Sequence, residues 1–303
     1  MSAFTCPHCA TSASPDDRYC ESCGTQLVEG AQEHDERRAA DAGSGAAVSD
    51  VGLVHERNED AFFVDADSRR VIGVVCDGVS SSVAPDVAAR LAADTAGGVL
   101  RDGVAGNDVG EAMRAAIDAA QRAVQSIPCA AGRDRHAPSC TFVGAVFDGR
   151  EVTVASVGDS RAYWIGTDEA VMLTRDDSWM DEQLAAGLLD ERAAAADPRA
   201  HMITNWLGAD SPGETPRITS FSPEGAGRLV LCSDGLWNYA SAPEDVAALV
   251  AGVGAGAPAR AVADALVDYA LGAGGRDNVT VAVLDVELAP AAPRGGEPGE
   301  VPT

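Results

Sequence analysis

The chain has 303 residues, and its 47 acidic side chains outnumber its 22 basic ones to give a formal net charge of -25. That balance argues against nucleic acid and anionic lipid as partners, since both would be repelled. Any phosphate-bearing substrate needs positive charge supplied locally, by a metal or by well-placed arginine. In chain order, the first feature is a cysteine cluster. Cys6 and Cys9 ("CPHC") and Cys20 and Cys23 ("CESC") form two CxxC pairs ten residues apart. Such pairs present four sulfurs to one tetrahedral ion, so residues 1–24 read as a small Zn²⁺ ribbon; a redox dithiol or a disulfide pair is the competing reading. Metal would supply most of the stability of so short a segment.

Residues 25–47 are charged and small, without an apolar period, and read as a flexible linker. A single folded block follows over residues 48–286. Strand-like runs appear at "AFFVDA", "RVIGVVCD", "CTFVGAVFD", "EVTVASVGD", "RAYWIG", "RLVLCSD" and "NVTVAVLDV". Helical patterns appear at "APDVAARLAADTAGGVL", "GEAMRAAIDAAQRAVQSI", "SWMDEQLAAGL", "PEDVAALVA" and "PARAVADALVDYAL". Strands come in groups and helices in pairs, which predicts antiparallel sheets with helices packed outside them. Residues 287–303 are rich in Pro and Gly and are expected to be disordered. No apolar run approaches the roughly 20 residues that span a membrane. The opening "MSAFTCPHCA" lacks a basic n-region and an apolar h-region, so the expected location is the cytoplasm, with reduced cysteines.

Two hydrophobic runs end in an Asp-Gly pair: "VIGVVCDG" at Asp77 and "RLVLCSDG" at Asp234. Further acids lie at turns in "RNEDAF" (Glu59, Asp60), "GDSRAY" (Asp159) and "RDNVTV" (Asp277). Each motif alone is an ordinary turn or solvated loop. Together they suit a hard-metal site, because Mg²⁺ and Mn²⁺ take oxygen ligands and strand ends hold carboxylates rigidly. Glycine after the aspartate lets a backbone carbonyl come close to an ion. The chain has no lysine, which removes Schiff-base and P-loop lysine chemistry. Cys76 and Cys232 precede the two aspartates within apolar runs and read as core.

Taken in order, these motifs resemble the metal-dependent serine/threonine protein phosphatases of the PPM class, also called type 2C, over about residues 48–286. The resemblance implies an α+β fold: a four-layer α-β-β-α sandwich of two antiparallel sheets flanked by helix pairs, here preceded by the zinc ribbon. It implies two Mn²⁺ or Mg²⁺ ions bridged by Asp77, with the Gly78 carbonyl on one of them. Asp234 and Asp277 would complete the ligands, and Glu59 and Asp60 would hold metal-bound waters. Asp159 would help bind the third, looser ion that many members hold. Asn278 would orient its loop. A metal-activated water would then attack phosphoserine or phosphothreonine in proteins, with no covalent phosphoenzyme.

Three positions depart from the family pattern. His55 stands where an arginine usually holds substrate phosphate. Arg57, two residues on, is the chemically better phosphate ligand, with His55 the other candidate. "DGVSS" replaces the common Asp-Gly-x-Gly-Gly, and Val79 cannot serve as general acid, so a proton would come from metal-bound water or His55. "DDS" replaces "DHS", putting Asp177 where histidine is common, just before a flap-like region of about residues 179–210 that is expected to affect substrate preference. Phosphorylated proteins are the expected partners, in opposition to Ser/Thr kinases, and the lysine-free composition suggests a GC-rich bacterium. Two other readings stay open: a phosphoprotein-binding adaptor with weak or no turnover, and a dedicated phosphatase of one anti-sigma-factor antagonist. A nucleic-acid-binding role for the ribbon is poorly supported, since Arg18 is its one basic residue beside Asp16, Asp17 and Glu21.

Overall fold

The computed structural model describes residues 4–5, 11–13, 37–103, 108–129, 137–195, 197–213 and 215–288. Cys6, Cys9, Cys20 and Cys23, and residues 289–303, lie outside the described residues. In order, the elements are β1 (Phe4–Thr5), β2 (Ser12–Ala13), β3 (Arg38–Asp41), β4 (Gly45–Asp50), β5 (Asp60–Ala66), β6 (Val71–Asp77), α1 (Pro85–Gly103) and α2 (Val109–Gln125). Next come β7 (Ser139–Cys140), β8 (Phe142–Phe147), β9 (Val152–Val157), β10 (Arg161–Ile165), β11 (Ala170–Met172), α3 (Trp179–Ala185) and α4 (Glu191–Ala195). The chain closes with β12 (Leu207–Gly208), β13 (Arg217–Phe221), β14 (Gly227–Cys232), α5 (Asp234–Trp237), α6 (Pro243–Val253), α7 (Ala259–Ala273) and β15 (Val279–Val286).

Two antiparallel sheets dominate. One runs β11-β10-β14-β15-β4-β3 and the other β13-β9-β8-β6-β5. Side-chain alternation assigns their faces. On β15, Val279, Val281 and Val283 pack under α6 and α7, whereas Ala282, Leu284 and Val286 meet the opposite sheet. On β6, Ile72, Val74 and Cys76 face α1 and α2, whereas Val71 and Val75 face inward. The result is helix pair, sheet, sheet, helix pair, as the grouping of strands and helices predicts. Among the described residues no helix is long and apolar enough to cross a membrane.

The boundary at residue 48 is corrected. Strand β3 and the first half of β4 lie inside the stretch expected to be linker, and β4 pairs along β15 from Gly45↔Leu284 to Asp50↔Val279. Alanine and glycine give little hydropathic contrast, which hid these strands. Their small size is what the position requires: a Cβ on Gly45 would sit 2.8 Å from Val71 Cγ2. Arg37 ties this end down through Asp264 at 2.9 Å and Asp268 at 2.6 Å. Edge strand β13 also went unrecognised, its "RITSF" being mostly exposed and polar.

Candidate active site

The acids gather at one end of the sandwich because the strands stop there. Asp60 opens β5 and Asp77 closes β6, and the antiparallel register sets them opposite each other. Asp234 starts α5 directly after β14, Asp277 precedes β15, and Asp159 follows β9. A buried polar network fixes Asp60. Ser233 donates to Asp60 Oδ2 at 2.8 Å while its hydroxyl accepts the Thr280 amide at 3.0 Å. The hydroxyls of Ser49 and Thr280 lie 2.6 Å apart, Asn58 Nδ2 donates to Ser49 at 2.8 Å, and Asn58 Oδ1 accepts the Asp60 amide at 3.1 Å. Asp60 Oδ1 is buried and has no hydrogen-bond partner among the described residues.

Electrostatically this end is unbalanced. Burial, then the charges of Asp60, Asp234, Asp159 and Asp277, push the Asp77 carboxyl well above the usual carboxylate range. Asp234 is raised in the same way, by burial and then by Asp277, Asp159 and Asp60. Burial lifts Asp60 to about 6 and Asp159 to about 7. Carboxylates this close repel one another unless positive charge sits among them. The thiols offer no alternative chemistry, because burial pushes Cys232 up to about 12 and Cys76 well above its ordinary value.

The surrounding backbone is shaped around the acids. Gly78 donates to the Glu59 carbonyl at 3.2 Å, and a Cβ there would meet Pro85 O at 2.7 Å and Glu59 O at 2.8 Å. Glu59 itself accepts from Ser80 Oγ at 2.8 Å, so a serine of "DGVSS" orients it. Asn278 joins its own loop to Val51 and to the Arg57–Glu59 segment. Its Oδ1 accepts the Glu59 amide at 2.7 Å, and its Nδ2 donates to the carbonyls of Val51 at 2.8 Å and Arg57 at 3.0 Å.

The two candidate phosphate ligands part company. His55 Nε2 lies 3.3 Å from Asp277 Oδ1, at the rim of the acid cluster. Arg57 is 66% exposed and reaches Asp86 at 3.5 Å. Asp177 is buried and acts as a hub. Its Oδ2 accepts from the Gly158 amide at 3.1 Å and from Asn205 Nδ2 at 3.2 Å, and its Oδ1 accepts from Arg217 Nε at 3.1 Å. It therefore ties the turn before Asp159 to the far end of the flap-like excursion.

Sequence reasoning found the acids but missed Ser233, Thr280, Ser49 and Asn58. Nothing in a linear pattern links Ser233 to Asp60, 173 positions away. The residues present fit a hard divalent cation. The donors are all oxygen, among the described residues the buried Asp60 Oδ1 has no hydrogen-bond partner, and four acidic charges act on Asp77. Among the described residues no three His, Cys, Asp or Glu groups converge tightly enough to enclose an ion alone; Mg²⁺ and Mn²⁺ retain several waters and need few protein ligands.

Comparison with known proteins agrees with this geometry. Serine/threonine protein phosphatase PstP of Mycobacterium tuberculosis is 31% identical over 244 residues, which are 80% of this chain and 44% of PstP, so the chain spans less than half that relative's length. Serine/threonine phosphatase stp of Listeria monocytogenes is 26% identical over 246 residues, 79% of this chain and 94% of stp. A crystal structure of the PstP catalytic domain in complex with two manganese ions superimposes with a TM-score of 0.64 at 29% identity, covering 83% of this chain and 98% of that one. Residues 54–269 match the family model described as Protein phosphatase 2C, and the chain belongs to that family.

Proposed function

We propose that the chain is a divalent-metal-dependent phosphatase that hydrolyses phosphoserine and phosphothreonine in proteins. The observation that carries this is the convergence of four acidic charges on Asp77, at the end of a buried strand. Asp77, the Gly78 carbonyl, Asp234 and Asp277 would hold Mn²⁺ or Mg²⁺, Glu59 and Asp60 would hold metal-bound waters, and Asp159 would help bind a further ion. Such ions, when bound, lower the pKa of water and offset charge on a transferring phosphoryl group. The chain's own part is positional. Ser233 and Asn58 fix Asp60, Ser80 turns Glu59, and Asn278 holds the Glu59 and Asp277 loops in register. Arg57, exposed and loosely paired, is free to turn its fork onto a substrate phosphate. The proton for the leaving oxygen would come from a metal-bound water or from His55, which lies 3.3 Å from Asp277.

The substrates are phosphorylated proteins of the cytoplasm, and the enzyme opposes Ser/Thr kinases there. The ribbon cysteines Cys6, Cys9, Cys20 and Cys23 would bind one Zn²⁺ as a docking or oligomerisation module. Hydrolysis of a phosphothreonine peptide with Mn²⁺, with Mg²⁺ and with chelator tests the activity. We expect turnover only with a divalent ion; folded protein that binds Mn²⁺ yet releases no phosphate would sink the phosphatase reading. Metal analysis of the same preparation should give one zinc per chain, lost in the Cys20→Ser, Cys23→Ser variant.

A further inference from the structure

We propose that Gln121 is a positioning residue of the site, its carboxamide forming the last rung of a hydrogen-bond ladder that ends on Gly78. Gln121 lies on α2, among none of the acid motifs. Its Nε2 donates to the Gly208 carbonyl at 3.0 Å, and its Oε1 accepts the Gly208 amide at 2.9 Å. Only this orientation of the amide satisfies both groups. It is the two-bond exchange that one strand residue makes with its partner in an antiparallel pair.

The ladder continues from there. Successive strand residues turn their N–H and C=O to opposite sides, so with Gly208 facing α2, Leu207 faces β7. The register agrees, pairing Leu207 with Cys140 and Gly208 with Ser139. Strand β7 in turn abuts the Asp77 loop. Gly78 and Cys140 form a β-bridge. The Val79 amide donates to the Ser139 carbonyl at 3.0 Å, and the Thr141 amide to the Asp77 carbonyl at 2.7 Å. The rungs therefore run from a side chain on α2 through β12 and β7 to the residues on either side of Gly78. Gly208 is suited to its place, since a Cβ there would meet Pro138 O and Ser139 Cβ at 3.0 Å. A cleft of about 360 Å³ lined by Gln121, Asp118, Trp206 and Pro216 lies alongside. Gly208 is buried, and its carbonyl also meets the Ser211 amide at 3.4 Å, a longer contact than the 3.0 Å carboxamide bond, so the carboxamide is the main closure of the last rung.

That loss of this rung reaches metal binding rests on the reading of Asp77 and Gly78 as ligands; the ladder itself does not. The test uses the full chain. Gln121→Leu keeps the volume and removes both bonds, Gln121→Glu keeps the acceptor and removes the donor, and Gln125→Leu changes an exposed residue on the same helix. Amide hydrogen exchange is followed at Gly208 and Val79, and Mn²⁺ affinity is measured calorimetrically. Gln121→Leu should raise exchange about tenfold at both amides. It should weaken Mn²⁺ binding by up to about 10-fold, no more than the lower end of what loss of a group bonded directly to a metal ligand costs. Gln121→Glu should fall between, and Gln125→Leu should match the unaltered chain. Faster exchange at Gly208 alone, with Val79 and Mn²⁺ affinity unchanged, would overturn the proposal. If Gln121→Leu does not fold, Gln121→Glu decides by the same two readouts. An unaltered chain that binds no Mn²⁺ would refute the metal reading and leave Val79 exchange to decide the ladder.

Discussion

Two clusters of buried charge sit side by side in this molecule, and only one of them is balanced. In the first, Arg161 forks onto Asp176, with Nε at 3.0 Å from Oδ1 and Nη2 at 2.7 Å from Oδ2. The same guanidinium lies 4.1 Å over the Trp237 ring and donates to Ser241 Oγ at 2.9 Å. Every charge there has a partner, as burial demands. In the second, burial and the charges of Asp60, Asp234, Asp159 and Asp277 push Asp77 up, burial and the charges of Asp277, Asp159 and Asp60 push Asp234 up, and His55 lies at the rim, 3.3 Å from Asp277. The contrast separates charge kept for structure from charge kept for a ligand. A folded chain that tolerates unmatched carboxylates in one place, while pairing them fully next door, leaves room there for a cation from solution.

The largest effect should come from the unbalanced cluster. Asp77→Asn removes the central carboxylate while preserving shape. Phosphothreonine peptide turnover with saturating Mn²⁺ should fall about a thousandfold or more, since metal-bound charge stabilisation is worth several kcal/mol. Circular dichroism should show the fold intact. Turnover within a few-fold of the unaltered chain would mean that Asp77 is not the centre of the site.

The balanced cluster should answer in stability instead. Asp176→Ala strands the Arg161 guanidinium in a site where its side chain is 10% exposed and its partner 6%. Breaking a buried pair from one side costs about 3–5 kcal/mol, readable as a shift in the denaturant midpoint. Asp176→Asn, which retains an acceptor for Arg161, should cost less. An unchanged midpoint in both would show that the pair is not a structural support, and the comparison would fail on that side.

How much of this was legible in the sequence follows from the range of each interaction. Asp77 and Asp234 stood out because local signals announce them, an apolar run ending at Asp-Gly. The two-sheet architecture could be read for the same reason, since alternation along "NVTVAVLDV" is local. The supports of the site are not local. Asn278 reaches Val51 and Arg57 across more than 200 positions, and Ser233 reaches Asp60 through tertiary register alone. Strand β4 was hidden for a different cause. Its first half, "GAA", reads as linker because alanine is nearly neutral in hydropathy, yet all six residues of the strand are buried.

The smallest predicted effect is the most discriminating, because its sign depends on the ion. In the metal-free protein Asp234 contributes like-charge repulsion, with Asp277, Asp159 and Asp60 all acting against its ionisation. Asp234→Asn removes that repulsion and keeps the hydrogen-bonding shape, so in chelator the variant should melt higher, by roughly 2–4 °C for about 1 kcal/mol in a domain of this size. Adding Mn²⁺ should reverse the order. Ligand binding to the native state raises its stability in proportion to affinity, and the unaltered chain, with its full carboxylate set, should gain more than the variant. The paired cluster predicts no such crossing: Asp176→Asn should melt below the unaltered chain with or without the ion. If Asp234→Asn melts lower in chelator as well, its carboxylate is held by partners within the fold, and the cluster is a structural network rather than a site awaiting a cation.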